Sequence, residues 1–330
     1  MINKVKDLLK DQDFMHRYAS VIFAGLFLLA FNILAIAMNS TFLSLRNVNR
    51  LIEAAFPLMM VAFGQTICLL IGGIDISLGS IVSLTNVVCI TFINVDSEFG
   101  WIPGILAAIV CGFLCGALNG FITQQFHIPA LIVTISMSIV YAGLALFIMP
   151  VPGGMMHMGF YKFIKFKFFD VIPNSIILIF IILVIVRTIT NRTAFGKAVR
   201  AMGGNVQSAY SAGINIKKTE ILAFGLSGLL CGLGGIYMAV YINSGDPTIG
   251  TGMQMNAISA SVIGGVSMVG ANGDLIGTMF GVFIFTLISN LLNLNGISTN
   301  YQFLIKGFIL IVALAISSIR NREELGDING

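Results

Sequence analysis

Long apolar blocks, separated by short polar segments, alternate along the whole chain. Most blocks run for about 17 to 24 residues, the length that an α-helix needs to cross the hydrocarbon of a membrane. Since helices satisfy their backbone hydrogen bonds internally, the pattern predicts an all-α polytopic membrane protein with about ten transmembrane helices. The predicted spans cover residues 18–38, 52–71, 77–95, 102–123, 129–149, 173–190, 219–242, 256–270, 274–293 and 301–319, of which the eighth is short.

Composition agrees with a membrane protein. Hydrophobic residues make up 57% of the chain and charged residues only 10%, which excludes an ordinary soluble domain. The first apolar block is full length and lacks a small-residue cleavage site, so it is interpreted as a span and not as a cleavable signal. Residues 1–330 are therefore treated as one transmembrane domain.

Lysine and arginine residues predict the orientation, because short positively charged loops stay on the cytoplasmic side. If the N-terminus is cytoplasmic, most basic residues fall on the inner side. The outer segments then hold only Arg46, Arg50, Lys162, Lys165 and Lys167. This places residues 1–17, 188–220 and 320–330 in the cytoplasm. The net charge of +4 is thus a topological signal, and no aromatic and basic cluster suggests nucleic-acid binding.

Catalytic and metal-binding motifs are absent from the sequence. It contains no P-loop, no HExxH and no GxSxG motif, and its cysteines and histidines lack metal-ligand spacing. We expect no catalytic residue and no cofactor on this chain. Energy for transport would come from an ion gradient or a separate ATPase. Within the apolar region only Asp75, Asp274 and Lys306 are candidate ion-coupling sites, and this small number disfavours an ion-coupled carrier.

The polar segment 188–220 is interpreted as a docking element. It predicts a helix over Ala194–Met202, stopped by a glycine pair, and a second short helix over Val206–Ser211 that Asn205 caps. Gly213 ends the second helix. The result would be a short helical surface for a partner protein. A basic loop resting on anionic lipid is the alternative.

Several ordered motifs carry a family resemblance. The stretch TAFGKAVRAMGGNVQSAYSAGINIKK resembles the cytoplasmic segment of ribose-type sugar ABC permeases, with the pattern T-x-x-G-R-x-x-x-A-x-G-G-N-x-x-A-A-x-x-S-G-I. GGIDISLGS resembles their GIDLSVGS segment, and HIPALIVTISM resembles the start of their middle span. GDPTIGTGMQMNAISASVIGGVSMVGANGDLIGT resembles their long signature before the ninth helix, although Gln254, Met255 and Asn256 replace its acidic region.

The resemblance implies a permease subunit in a bacterial inner membrane. Its substrate would be a monosaccharide, such as a ribose-like pentose, a hexose or a related furanose. A periplasmic or lipid-anchored binding protein would deliver the sugar, a second permease copy or a paralogue would complete the pathway, and a cytoplasmic ABC ATPase would hold ATP and Mg²⁺. By position, the ATPase-coupling residues are Arg200, Ala201, Gly203, Gly204, Asn205, Ala209 and Gly213.

Two glycine-rich breaks interrupt the apolar pattern, at Gly72–Ser80 and at Ile263–Gly277. Broken helices at membrane depth are tolerated where they line a cavity, so the breaks predict a pathway within an inverted five-plus-five repeat. The candidate pathway residues are Asp75, Ser77, Ser80, Gly264, Gly265 and Ser267. Alternatively, Asp75 and Ser77 cap the third helix without touching substrate.

Two other functions remain open from the sequence. A permease of the same architecture for branched-chain amino acids or nucleosides would share the loop motifs. An ion-coupled carrier or passive channel would work without an ATPase, driven by a gradient and indifferent to ATP.

Overall fold

The structure, a computed structural model, describes residues 42–298 without interruption, together with residues 22, 24–33, 35–36, 301–302, 304–305, 307–308 and 311. In this part of the chain α-helices predominate, and one short antiparallel pair of strands accompanies them. The elements are α1 (Ala24–Ile33), α2 (Leu45–Leu70), α3 (Leu78–Thr91), α4 (Ile102–Phe126), α5 (Ala130–Ile148), α6 (Met158–Ile164), β1 (Lys167–Phe168), β2 (Ile172–Pro173), α7 (Asn174–Arg192), α8 (Ala194–Gly204), α9 (Val206–Ser211), α10 (Ile216–Ile242), α11 (Met253–Ile263) and α12 (Leu275–Leu294).

Six of these helices are long and apolar enough to cross a membrane, namely α2, α4, α5, α7, α10 and α12. This confirms a helical polytopic membrane protein. The predicted spans 77–95 and 256–270 correspond to shorter helices, α3 with 14 residues and α11 with 11 residues. Much of the predicted spans 18–38 and 301–319 lies outside the described residues, so the count of ten stays a prediction.

Helix α2 begins seven residues earlier than its apolar pattern predicted, at Leu45 in place of residue 52. The Ser44 side chain caps it by accepting from the amide of Asn47. Asn47 is itself buried. Its side-chain amide exchanges two hydrogen bonds with the side-chain amide of Asn290 in α12, at 3.0 and 2.8 Å. A polar first turn is thus accommodated because a second asparagine satisfies it.

The centre of the bundle is formed by α2, α3 and α10, with α4, α11 and α12 packed around them. Helices α5 and α7 lie outside this core and expose apolar side chains along their length. Helices α4 and α10 approach each other through glycines. A Cβ atom at Gly112 would meet the Gly228 carbonyl oxygen, and one at Gly116 would overlap that of Phe224. These glycines therefore serve the close packing of α4 against α10.

A repeated motif follows the two longest helices. Asp75-Ile-Ser-Leu-Gly-Ser comes after α2, and Asp246-Pro-Thr-Ile-Gly-Thr comes after α10. In each, one aspartate oxygen accepts from the amide and the hydroxyl two residues later, at 2.8 and 2.7 Å for Ser77 and at 2.7 Å twice for Thr248. The structure therefore shows a local counterpart of the first break at 246–251, and the correspondence of the first break with Ile263–Gly277 stays a prediction. The complete inverted repeat stays a prediction.

The two repeated motifs meet inside the bundle. A Cβ atom at Gly79 would meet the carbonyl oxygen of Gly250, and a Cβ atom at Gly250 would overlap that of Gly79. The hydroxyl of Ser83 in α3 accepts from the amide of Gly250 at 2.9 Å. Backbone thus lies directly against backbone where the two breaks cross, which only glycine permits at this distance.

Two ends of the bundle are distinguished by their short helices. Helix α7 runs the length of a membrane span between them, from the α6 end at Asn174 to the α8 end at Arg192. At the α6 end, β1 and β2 form a small hairpin, and Gly153 pairs with Gly245 through hydrogen bonds of 3.0 and 2.8 Å. The extended loop between α5 and α7 is thereby tied to the segment that follows α10.

Candidate coupling site and pathway segments

The α8 end carries two short capped helices that lie beyond the membrane-length helices. The hydroxyl of Thr193 accepts from the amide of Gly196 at 3.2 Å and begins α8. Asn205 then caps α9, since its side-chain oxygen accepts from the amide of Ser208 at 2.8 Å. Gly213 follows with φ at 82°, a conformation that favours glycine. The predicted pair of helices, the Asn205 cap and the stop at Gly213 are confirmed. The glycine pair predicted to stop the first helix at Met202 instead forms its last residues, because α8 ends at Gly204.

The outer face of this pair defines a surface that we call the coupling surface, made of Ala201, Gly204, Asn205, Val206 and Tyr210. All five residues are exposed. Val206 and Tyr210 were not predicted, although the spacing of four between two apolar residues on a polar helix is a usable signal. Of the other predicted coupling residues, Gly213 is exposed, Gly203 is half-buried and Ala209 is buried.

Arg200 points away from the coupling surface and into the protein. Its guanidinium donates to the carbonyl oxygens of Ala271 and Gly273, both at 3.0 Å, and to the side-chain oxygen of Asn191 at 2.6 Å. Partial burial lowers the pKa of the Arg200 guanidinium, and the nearby Asp274 carboxylate raises it. Arginine keeps its charge in proteins, so these are charge-assisted bonds that join α8 to the chain before α12.

Asp274 extends this connection to α7. Its carboxylate accepts from Arg187 in a two-pronged contact, with distances of 3.2 and 3.3 Å, and from the amide of Asn191 at 3.3 Å. The same carboxylate caps α12 by accepting from the amide of Ile276 at 2.8 Å. One acidic side chain thus holds the start of α12 against the end of α7.

The residues between α11 and α12, 264–274, form a segment that we call the return loop. Its Ala271 amide donates to the carbonyl oxygen of Leu70 at 3.0 Å, at the end of α2. Gly203 of α8 fits between them, since a Cβ atom there would overlap the Leu70 oxygen and approach the Ala271 amide. The end of α2, the end of α8 and the return loop therefore meet through backbone atoms.

Three predicted pathway residues belong to the return loop. Gly264 is buried, and a Cβ atom there would overlap the carbonyl of Gly277. Gly265 has φ at 86°. The Ser267 amide donates to the Asn272 carbonyl oxygen at 2.9 Å, which closes the loop on itself. The loop is a compact turn packed against α12.

The other predicted pathway residues lie in the first break. Asp75 and Ser77 are fully buried, whereas Ser80 is half-buried. The amide of Asn119 in α4 donates to the Ser77 hydroxyl at 2.8 Å, and the Tyr141 hydroxyl of α5 donates to the Asn119 oxygen at 2.9 Å. The structure thus brings Asp75 and Ser77 into a hydrogen-bonded cluster between α3, α4 and α5.

Gln65 is a buried polar residue in α2 that the sequence analysis missed. Within the described residues, neither atom of its amide has a hydrogen-bond partner, and its side chain is fully buried. An unsatisfied buried amide costs about 1–3 kcal/mol. Its position as a lone amide in the middle of an apolar helix could have identified it from the sequence as a buried polar residue.

Replacing Gln65 by methionine is expected to leave the free energy of unfolding unchanged or raise it by about 1–3 kcal/mol, because an unpaired amide is removed. Asn119→Leu is the matched comparison, since the Asn119 amide is equally buried but fully bonded. That variant should lose about 1–3 kcal/mol or more. Denaturant unfolding in mild detergent measures both, and equal losses in the two variants would contradict the prediction.

The fold defines a polytopic helical membrane protein with two short helices projecting from one end. Over residues 47–314 the chain matches the family described as branched-chain amino acid transport system / permease component, and it belongs to that family. Known relatives include the ribose import permease protein RbsC of Bacillus subtilis, 31% identical over 89% of this chain and 91% of the relative. A search of solved structures found no match.

Two further relatives carry the names of other sugars. The galactose/methyl galactoside import permease protein MglC of Haemophilus influenzae is 32% identical, covering 96% of this chain and 97% of the relative. The L-arabinose ABC transporter permease protein AraH of Azospirillum brasilense is 31% identical, covering 86% and 83%. The resemblance to ribose-type sugar ABC permeases is thereby confirmed.

Proposed function

We propose that this chain is the membrane subunit of an ABC importer that moves a monosaccharide into a bacterial cell. The coupling surface carries this proposal, since it projects past the membrane helices and is joined by Arg200 to the return loop. A separate ATPase that holds ATP and Mg²⁺ would dock on this surface. The α8 end, like both termini, then faces the cytoplasm, in agreement with the distribution of lysine and arginine. The chain itself supplies no catalytic residue.

The remaining partners follow from the two ends of the bundle. A sugar-binding protein would dock at the α6 end, where the Gly153 and Gly245 pair joins two loops into one surface. A second permease copy or a paralogue would complete the pathway. We assign Asp75 and Ser77 a supporting role, because their burial and mutual hydrogen bonds suit the positioning of the start of α3, although no side chain caps that helix.

A monosaccharide is favoured over an amino acid by the names of the relatives, which are ribose, galactose and arabinose permeases. The family description, by contrast, names branched-chain amino acids. Uptake of labelled ribose, galactose, arabinose and leucine by reconstituted complexes, each with its binding protein, separates these substrates. Leucine uptake alone would overturn the sugar assignment.

The ATPase partner is tested by isolating the chain from its native membrane in mild detergent. We expect an ATPase with a P-loop to accompany the native chain and to be lost from Gly204→Arg and Asn205→Arg variants, because a bulky cation on the coupling surface blocks close docking. Lys197→Ala is the matched control, since this residue is exposed on α8 outside the coupling surface. An intact dimer recovered without any ATPase would favour a gradient-driven carrier.

A further inference from the structure

A cavity of about 490 Å³ lies at the α6 end of the bundle, within the usual size range of ligand pockets. Five helices contribute to its wall, namely α2, α4, α6, α7 and α10. The lining residues include Trp101, Phe160, Phe56, Tyr237, Leu233, Val240 and Ile182. Neither the coupling surface nor the two breaks contribute to it, so the cavity is separate from the site described above.

The cavity lies close to the α6 end of the membrane-length helices. Its wall follows α10 from Leu233 to Val240, close to the end of that helix at Ile242. These residues span about 10 Å along a helix, out of the roughly 15 Å of hydrocarbon in half a bilayer. The neighbouring helices α4 and α7 expose apolar side chains on either side, such as Leu106 and Phe180. Exposed apolar side chains on membrane-length helices are expected to face hydrocarbon.

Aromatic rings form much of the cavity wall. Trp101 and Phe160 stack with ring centroids 5.2 Å apart, and Phe56 and Tyr237 stack at 4.1 Å. The lining is almost entirely apolar and offers a sugar no set of hydrogen-bond partners. A buried hydroxyl without partners is costly, so a monosaccharide is a poor occupant. A flexible hydrocarbon chain matches the lining.

Two lysines lie close in sequence to the α6 residues that line the cavity. Lys162 lies on α6 and Lys167 follows it, and both are exposed without an acidic partner within the described residues. Lys165, between them, is already paired with Glu53 at 2.7 Å. The two free ammonium groups are suited to a phosphate at the membrane surface, about one leaflet away from the bilayer centre.

We propose that this cavity binds one acyl chain of a membrane phospholipid, whose phosphate lies beside Lys162 and Lys167. The chain would fill the space between α4, α6, α7 and α10 and hold α6 against the bundle. This inference is independent of the transported substrate. Helix α6, which supplies Phe160 and Phe163 to the cavity wall, would then pack against the bundle through the bound acyl chain.

Trp101 provides the test, because it is the only tryptophan in the chain and lines the cavity. The full-length protein is reconstituted in phosphatidylcholine bilayers in which a minor fraction of the lipid has brominated acyl chains, which quench tryptophan on contact. A Phe147→Trp substitution in a Trp101→Phe background reports ordinary surrounding lipid, because Phe147 is 85% exposed. We expect quenching of Trp101 to exceed that of this reference by about threefold.

Two variants separate the parts of the proposal. Filling the cavity with Ile182→Phe and Leu233→Phe should reduce Trp101 quenching to the reference level. The double variant Lys162→Ser, Lys167→Ser tests the phosphate. If the lysines bind a phosphate, the excess of Trp101 quenching over the reference should fall for brominated phosphatidylcholine and for brominated phosphatidylglycerol alike. If the lysines respond only to net charge, it should fall for phosphatidylglycerol alone, which would overturn the phosphate site.

Equal quenching of Trp101 and the reference would overturn the lipid site. Weaker quenching of Trp101 would also overturn it, and would mean that another copy of the chain covers the cavity. An excess that the lysine variants leave unchanged would overturn the placement of the phosphate.

Discussion

Replacing Arg200 by alanine is expected to reduce ATP-driven uptake by at least about tenfold while the ATPase stays bound and continues to hydrolyse ATP. The guanidinium makes three hydrogen bonds, to Ala271, Gly273 and Asn191, and none of them lies on the coupling surface. Charge-assisted bonds of this kind contribute about 1.5–3 kcal/mol each. Movement of α8 would no longer be passed to the return loop. The measurement is the amount of solute taken up per ATP hydrolysed in proteoliposomes, which should fall in Arg200→Ala.

Two controls accompany Arg200→Ala. Arg200→Lys should be intermediate, because an ammonium keeps the charge but lacks the planar fork that reaches two carbonyl oxygens. Lys197→Ala removes an exposed cation from the same helix and should leave uptake unchanged. If Arg200→Ala releases the ATPase, Arg200 belongs to docking, and if its uptake is normal, the link to the return loop is not used. Both outcomes differ from the failure of the proposed function, in which native protein recruits no ATPase.

Replacing Gly116 by alanine is expected to lower the free energy of unfolding by about 1–3 kcal/mol. A Cβ atom at this position would overlap the carbonyl oxygen of Phe224 and would lie 3.0 Å from the amide of Gly228, both backbone atoms of α10. Backbone cannot move aside as a flexible side chain does, so α4 and α10 would have to separate. Their contact is the most extensive between any two helices in the described part of the chain.

Gly143→Ala is the matched control for Gly116→Ala. Gly143 also lies within a long helix, α5, but a Cβ atom there has nothing within 4 Å. Alanine favours helix over glycine by about 1 kcal/mol, so this variant should be neutral or more stable. Thermal unfolding in one detergent compares the two. Equal shifts of the unfolding temperature in both variants would mean that the close approach of α4 and α10 contributes little to stability.

Local signals made the α8 end predictable. The start of α8 at Ala194, the Asn205 cap and the stop at Gly213 depend on residues within one or two turns of each other, so the sequence predicted them. The glycine pair was wrongly predicted to end α8 at Met202, because both glycines are helical. Hydropathy also located the membrane-length helices, although it predicted longer helices than α3 and α11 prove to be. The early start of α2 was not predicted, because its polar first turn depends on Asn290, far away in the sequence.

The features that the sequence did not predict depend on contacts between residues far apart in the chain. Glycine content alone suggested that 263–277 repeats the first break, whereas hydrogen bonds show a local counterpart at 246–251. The orientation of Arg200 was equally hidden, since its partners are two backbone carbonyls some seventy residues away. Likewise, no property of Gln65 in the sequence distinguishes an amide that is bonded from one that is not.

The crossing of Gly79 and Gly250 limits how a single chain can move. At this point the two breaks touch through main-chain atoms, and Ser83 holds Gly250 by a further hydrogen bond. Sliding one break past the other would drive carbonyl oxygens into the opposing main chain. In the proposed complex of two permease subunits, each chain would then tilt as a rigid body, and the solute would pass between the two subunits and not through the middle of either one.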